Sequence, residues 1–308
     1  MNGELVYDIG AFDGADTAYY LSLGYRVLCV EATPTLAEGL RARFKSEIAS
    51  GRCDVLNVAV GDQDGLLPFY TCDFGAMNSF DKSRIESAGL LVREISVPVR
   101  NFASILQEYG VPKFMKVDIE GADRFAILPL TRNSAPEFIS FEVGIKDLDL
   151  LLHLHSIGYR NFNIVQQSNH CVISPPPVGT LAHVPWSLRQ WARLKLREHP
   201  NLHKFAKRAK NGLPGKILGV DVKPQHVTIS GVTPMEIHSG WRGIEEMLRD
   251  WTVLVAGGVI ESSWFDVHAV RAAADRSMQY SHGGYSGSSC VSFPTDDREP
   301  LSGAAQTS

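Results

Sequence analysis

The 308-residue chain is poor in cysteine, with five in all: Cys29, Cys53, Cys72, Cys171 and Cys290. Their number is odd, and none sits in the paired spacing that zinc sites use. This excludes a disulfide framework and reads as reduced thiols in a cytoplasmic protein. No apolar run approaches the roughly 20 residues that a membrane span needs. Asp8 and Asp13 interrupt any apolar core near the first residue, so no signal peptide is expected. Excess positive charge is also lacking: 30 Lys and Arg stand against 34 Asp and Glu, a net charge of −4. That balance argues against a general affinity for nucleic acid or acidic membranes. What remains is an ordinary globular composition, 44% hydrophobic and 21% charged, in a chain long enough for one large core plus an appendage.

One further absence is specific. Leu5 to Ile9 reads as a buried parallel strand, Gly10 and Gly14 bracket a turn, and Ala15 to Leu23 reads as a helix ended by Gly24. Ala18, Tyr19 and Leu21 to Leu23 are expected to face the sheet. Arg26 to Val30 is a second strand and stops on Glu31. This is the opening unit of a nucleotide-binding α/β fold, but Phe12 stands where a dinucleotide fingerprint has its middle glycine. Asp8, Asp13 and Asp16 surround the turn and would repel a pyrophosphate. The acidic turn suits a cationic adenosine ligand, which favours S-adenosylmethionine over NAD. Glu31 is placed to accept the ribose hydroxyls.

The chain then continues in α/β order. Pro34 opens a helix running to residue 49, and Asp54 to Val60 is a third strand whose Ala59 and Val60 could lie flat against an adenine. Leu66 to Tyr70 and Glu94 to Val99 are expected to pair antiparallel, with Asp73 to Phe80 as a flap between them. Phe102 to Tyr109 is a helix. Phe114 to Gly121 is the fourth strand, aligning Lys116, Asp118 and Glu120 on one face. Phe138 to Val143 is the fifth, ending at Glu142. Leu148 to Ser156 is a helix and Tyr159 to Val165 the sixth strand. Asp118, Glu120 and Glu142 thus converge at strand ends, where open α/β sheets bind ligands.

Asp8-Ile-Gly-Ala-Phe-Asp-Gly14, Val30-Glu-Ala-Thr-Pro34, Asn57-Val-Ala-Val-Gly-Asp62, Lys116-Val-Asp-Ile-Glu-Gly121 and Phe141-Glu-Val143 resemble, in order and spacing, the FkbM family of S-adenosylmethionine-dependent methyltransferases. The resemblance covers about residues 4 to 166, and Ser239-Gly-Trp and Trp264-Phe-Asp-Val-His268 are similar to a C-terminal part of some members. It implies a class I methyltransferase (Rossmann-like) fold with a seven-stranded, mostly parallel sheet. It also implies O-methylation of a sugar, polyketide or other secondary-metabolite hydroxyl. By motif position it gives Asp8, Gly10, Ala11, Gly14, Glu31 and Asp118 to the cofactor; Phe12, Ala59 and Val60 join them from the reading of the loop and the third strand. The first strand starts earlier than in most members, so a helix that helps cover the cofactor is expected to be missing.

Proton transfer from an aliphatic hydroxyl needs a base, for which Asp118 and Glu142 come first, then Glu120, then His268. His238 is a weaker candidate of the same kind, and the three carboxylates could hold a magnesium ion, although their spacing does not assign a metal site. Residues 175–226 read as an insertion in a core of 1–174 and 227–280, followed by a Ser-, Gly- and Pro-rich tail, 281–308, with the composition of a disordered segment. Pro185 to Gly219 is basic and helical, with nine Lys and Arg against the single acid Glu198 between Arg189 and Lys216. It could cover the pocket over an anionic or carrier-bound acceptor, bind an acidic partner or lipid surface, form a homodimer contact, or simply be solvated. Val227 to Ser230 is expected to be the last strand, and Thr233 to Trp251 and Trp264 to Met278 helices. Competing functions are an RNA or N-methyltransferase using the insertion, an NAD-dependent oxidoreductase, and a non-enzymatic cofactor-binding or interaction module.

Overall fold

The structure is a computed structural model that describes residues 3–73, 75–167, 171–173, 175, 233–236, 240–256, 259–260 and 264–271. The basic stretch, Val227 to Ser230, His238 and the tail lie outside the described residues.

The chain folds as expected into an α/β layer structure around one sheet. Its strands are β1 (Leu5–Ile9), β2 (Arg26–Val30), β3 (Cys53–Leu56), β7 (Phe114–Val117), β8 (Phe138–Glu142), β9 (Tyr159–Gln166), β10 (Cys171–Val172) and β11 (Phe265–Arg271). The sheet runs β3-β2-β1-β7-β8-β11-β9-β10. Leaving aside the two-residue edge strand β10, the seven core strands in chain order lie as 3-2-1-4-5-7-6, with β11 antiparallel to both its neighbours. This is the class I methyltransferase arrangement. The order reverses between β1 and β7, which opens a crevice at their carboxyl ends.

Helices cover both faces: α1 (Ala15–Ser22), α2 (Pro34–Arg43), α3 (Lys45–Ala49), α5 (Phe102–Tyr109), α6 (Arg124–Ile127), α7 (Leu148–Ser156) and α8 (Ile244–Ala256). The strands are buried on both sides. Tyr7, Ile9, Met115, Ile139 and Val267 join one core with α5, α7 and α8, while Val6, Val27, Phe114 and Val270 join a second core with Tyr20 and Leu40. A second sheet, β4-β6-β5, holds β4 (Ala59–Gly61), β5 (Gly65–Thr71) and β6 (Arg93–Asn101). Its β5–β6 hairpin confirms the expected antiparallel pairing, and it carries α4 (Lys82–Ser87) in the connection.

Several readings need correction, among them the helix from Thr233 to Trp251: residues 240–243 are not helical, Arg242 bridges Phe162, and the helix runs Ile244–Ala256. Trp264 to Met278 was expected to be helical, yet Phe265–Arg271 is the central antiparallel strand. Phe265, Val267 and Ala269 pack into one core, and Asp266, His268 and Val270 face the other way. The alternation of a strand wins where a gap in the sheet, between β8 and β9, has hydrogen bonds to offer on both sides. The third strand stops at Leu56, because the Asn57 amide turns the chain by donating to the carbonyls of Glu31 (2.8 Å) and Ala32 (3.1 Å). The helix from Pro34 breaks at Phe44, whose ring is buried against the first helical layer. α1 turns Thr17, Tyr20 and Leu21 inward and leaves Leu23 exposed.

No helix among the described residues is long and apolar enough to cross a membrane. The late helix α8 is held through Met247, Trp251 and Leu254 and by an Arg242–Asp250 ion pair. Trp251→Ala should therefore cost about 3–5 kcal/mol of stability, measured by urea unfolding, because the indole fills the same core as β1 and β7.

Candidate functional site

The turn after β1 is pressed against the turn after β7. Gly10 has φ of 85°, and a Cβ there would lie 1.8 Å from the Asp118 carbonyl oxygen, so only glycine fits. Gly14 is left-handed too, with φ of 78°, and a Cβ there would lie 2.6 Å from Leu40 and Phe44. The backbone donors of the turn are spent internally. Gly10 and Ala11 N–H donate to Val30 O (2.9 and 3.2 Å), and Gly14 N–H to Ala11 O (2.8 Å). Phe12 N–H donates to Glu31 Oε2 (3.0 Å) and Ala15 N–H to Asp13 Oδ1 (2.9 Å). A pyrophosphate would need these same donors. Glu31 also accepts from Thr33 N–H at 2.8 Å through Oε1, and burial raises its pKa despite these bonds. It thereby pins Phe12, a non-glycine residue with φ of 47°.

Above these turns lies a cleft enclosing about 530 Å³ of empty space, part of it open to solvent. One end is largely apolar: Phe12, Val58, Ala59, Val60, Phe69 and Phe80, with Glu31 at its side. Phe69 and Phe80 meet edge to face at 5.2 Å. The other end carries Asp118 and Glu120. The Asp73–Phe80 loop supplies Gly75, Ala76, Asn78 and Phe80, so it does border the cleft. Asn78 Nδ2 donates to Thr33 Oγ1 (3.0 Å), and Ser79 Oγ donates to the Glu120 carbonyl (2.9 Å).

Beneath the acidic end is a buried cation. Lys116 Nζ lies 2.7 Å from Asp16 Oδ2, 3.4 Å from Asp118 Oδ2 and 3.9 Å from Asp8 Oδ1. Burial alone would lower its pKa, but Asp16, Asp118 and Asp8 together raise it well above the usual lysine value. Asp8 accepts from Thr17 Oγ1 at 2.6 Å through Oδ2, while its Oδ1 has no hydrogen-bond donor and only the distant ammonium. Burial, opposed by Lys116, pushes Asp8 up to about 6.

β7 ends at Val117, so Lys116 and Asp118 share a face as expected, whereas Glu120 is on the following turn with φ of 53°. Glu120 is held by Arg84 of α4 at 2.5 Å. Burial and Asp118 raise its pKa to about 6. Glu142 ends β8 in register with Asp266 of β11. Burial, then Asp118, Glu120 and Asp123, raise Glu142 to about 9. Burial raises Asp123 and Asp266 to about 7 each. One carboxylate oxygen from each of Asp118, Glu120 and Glu142 lies within 4.8 Å of the others, a spacing a divalent cation could bridge.

Of the residues expected to hold the cofactor, Gly10, Phe12, Glu31, Ala59, Val60 and Asp118 line the cleft. Asp8, Ala11 and Gly14 sit beneath or beside it as supports. Of the base candidates, Asp118, Glu120 and Glu142 come together, while His268 lies one row deeper in the sheet, beside Ser140 and Asn163. Reasoning from sequence missed Arg84, Asp123 and Asp266 here. Asp266 was hidden by the helical reading of its strand. Arg84 carries no local signal, because the hairpin fold alone brings it to Glu120.

Residues 8–160 match the family model described as Methyltransferase FkbM domain. No curated protein matches the chain. Among solved structures, the chain is similar to a methyltransferase FkbM from Methylobacillus flagellatus at 17% identity and TM-score 0.32, over 46% of this chain. It spans about a third (32%) of that chain's length. It is also similar to an S-adenosylmethionine-dependent methyltransferase from Thiobacillus denitrificans, solved with S-adenosyl-L-homocysteine, at 9% identity and TM-score 0.30, over 88% of this chain and 86% of that one.

Lys116→Met should destabilise the protein by about 3–5 kcal/mol in urea unfolding, because it strands Asp8 and Asp16 without their counter-ion. Adding Asp16→Asn should recover part of that loss. A second expectation concerns pH. Glu142 titrates near 9 when folded and near 4.5 otherwise, so folding takes up a proton between those values and stability falls as pH rises through them. Thermal melts from pH 6 to 9 should show that fall, and Glu142→Gln should make it shallower above about pH 7, where Asp123 and Asp266 have already ionised.

Proposed function

Because residues 8–160 form a methyltransferase FkbM domain, we propose that this chain is an S-adenosylmethionine-dependent O-methyltransferase acting on a hydroxyl of a sugar, polyketide or other secondary metabolite. The observation that carries the cofactor class is the turn after β1. Its N–H groups at Gly10, Ala11, Phe12, Gly14 and Ala15 are already bonded within the protein, and Asp8 and Asp16 lie beneath it. Such a turn does not cradle a pyrophosphate, but it suits an adenosine ligand with cationic groups.

In this reading Glu31 accepts the ribose hydroxyls, Ala59, Val60 and Phe80 flank the adenine, and Asp118 faces the methionine end. When bound, the cofactor supplies an electrophilic methyl on sulfur. The protein's part is to align the acceptor oxygen with that methyl and to take its proton. Asp118 is the proposed proton acceptor, because burial raises Glu142 to about 9 and leaves it protonated near neutral pH. Asp118 is in the cleft wall, and Glu142 stands behind it at the end of β8. The acidic edge repels anions, so the hydroxyl is expected on a neutral or cationic part of the acceptor. The same proposal keeps 175–226 as an insertion and 227–280 as completing the core. It places the enzyme in the cytoplasm, in keeping with Cys29, Cys53 and Cys72, none of which is in a disulfide.

Calorimetric titration with S-adenosylhomocysteine should give micromolar binding, with none for NAD. Glu31→Ala should weaken the thioether by at least about tenfold, since it removes the ribose acceptor and releases Phe12 and Thr33. Binding of NAD in place of the thioether would overturn the assignment.

A further inference from the structure

We infer that Glu142 meets the acceptor as an un-ionised carboxylic acid, donating its O–H to the acceptor oxygen while Asp118 takes that oxygen's proton. This rests on the methyl-transfer reading above and gives Glu142 a part other than that of a base.

Three carboxyl groups meet at the carboxyl edge, and two of them have cations. Asp118 has the Lys116 ammonium at 3.4 Å, and Glu120 has the Arg84 guanidinium at 2.5 Å. Glu142, half-buried at the end of β8, has neither an ion pair nor a side-chain hydrogen bond among the described residues. Its surroundings are acidic. Asp118 and Glu120 come from the turn after β7, and one oxygen of each lies within 4.8 Å of one from Glu142. Asp123 stands at the start of α6, and Asp266 lies opposite in the β8–β11 ladder, where like charges repel. Arg84 of α4 bears on Glu142 too, but it is committed to Glu120. A third negative charge in this space would stand unpaired, so the third carboxyl keeps its proton. Burial, then Asp118, Glu120 and Asp123, hold it up to about 9.

A protonated carboxyl has one O–H to give, and a hydroxyl has one proton and two lone pairs. Two carboxyl oxygens no more than 4.8 Å apart can both reach one oxygen between them, since two hydrogen bonds of about 2.7 Å span up to about 5.4 Å. The acceptor oxygen then has Asp118 on its proton and the Glu142 O–H on one lone pair. Its own carbon fills a third direction of the tetrahedron, so the second lone pair alone is free to attack. The two acids thus set the line of attack, which is what an in-line displacement needs from a protein. In the transfer the free lone pair forms the oxygen–carbon bond, the carbon–sulfur pair goes to sulfur, and the hydroxyl proton goes to Asp118. Glu142 ends with the proton it began with. An ionised Glu142 would instead compete with Asp118 for the single hydroxyl proton, and the orientation would be lost.

The test uses the full chain with S-adenosylhomocysteine bound, in EDTA, and glycerol as a small alcohol. The infrared C=O stretch of a carboxylic acid should be present at pH 7, move on isotope labelling of glutamate, be missing from Glu142→Gln and fade as pH passes about 9. Glycerol should lower its frequency, as a donated hydrogen bond does. Methyl transfer to glycerol from radiolabelled S-adenosylmethionine should fall at least about tenfold further in Glu142→Ala than in Glu142→Gln, whose amide still donates. The inference is overturned if no such band is present at pH 7, if glycerol leaves it unmoved, or if magnesium ions in place of EDTA abolish it. It is equally overturned if the two variants lose the same activity, as removal of a base would require. Should a variant not fold, or glycerol not be methylated, the labelled band and its response to glycerol still decide. Absence of S-adenosylhomocysteine binding would instead sink the methyl-transfer reading itself.

Discussion

The buried ammonium of Lys116 is the interaction on which the site depends. It ties three elements that share no covalent neighbourhood: Asp8 of β1, Asp16 of α1 and Asp118 after β7. A lysine this deep is tolerated only because its carboxylate partners offset the loss of water, and those carboxylates would in turn be untenable without it. The arrangement fixes the pitch of α1 over the sheet and sets the turn after β7 against Gly10. It also decides how much negative charge is left to face the cleft. Asp16 takes most of the ammonium's attention, Asp8 leans on Thr17, and Asp118 keeps the remainder.

The opening half of the fold was legible because its signals are local. Leu5 to Glu31 contains two apolar strands, a glycine-bounded turn and a helix, and each would be read the same way in isolation. The resemblance then ordered the remaining motifs and anticipated the class I sheet. What escaped was non-local. Phe265 to Arg271 alternates like a strand, but a helical period can also be drawn through the longer window to Met278. Only the open place between β8 and β9 decides the matter. With that strand misread, Asp266 could not be placed beside Glu142.

The same limit applies to Glu120. Its spacing from Asp118 suggested one strand face, and the strand stops too soon for that. Gly121, with φ of 91°, follows Glu120 in the turn and leaves room for Arg84, whose Nη1 would lie 3.0 Å from a Cβ at that position. Arg84 comes from the hairpin connection, as do Asn78 and Ser79. That connection bonds to Thr33, the neighbour of Glu31, at one end and to Glu120 at the other. The second sheet is thus a bridge between the two walls of the cleft, a role visible only once both walls are folded.

The carboxylates of the site divide by depth. Glu31 and Asp16 are engaged by backbone donors and Lys116, and Asp8 by Thr17 through one oxygen, and together they shape the cleft. Asp118, Glu120 and Glu142 lie at the carboxyl edge, where burial and mutual repulsion raise Glu120 and Glu142 above the ordinary range. Repulsion of that kind is costly in the absence of a ligand and is relieved by a cation or by a proton. In the proposed reaction the sulfonium donor would bring the first and the acceptor hydroxyl would release the second. With Glu142 already holding a proton near neutral pH, Asp118 is the group of this edge left to meet a cation or a further proton. This is the physical reason to place the chemistry there rather than at the well-satisfied apolar end.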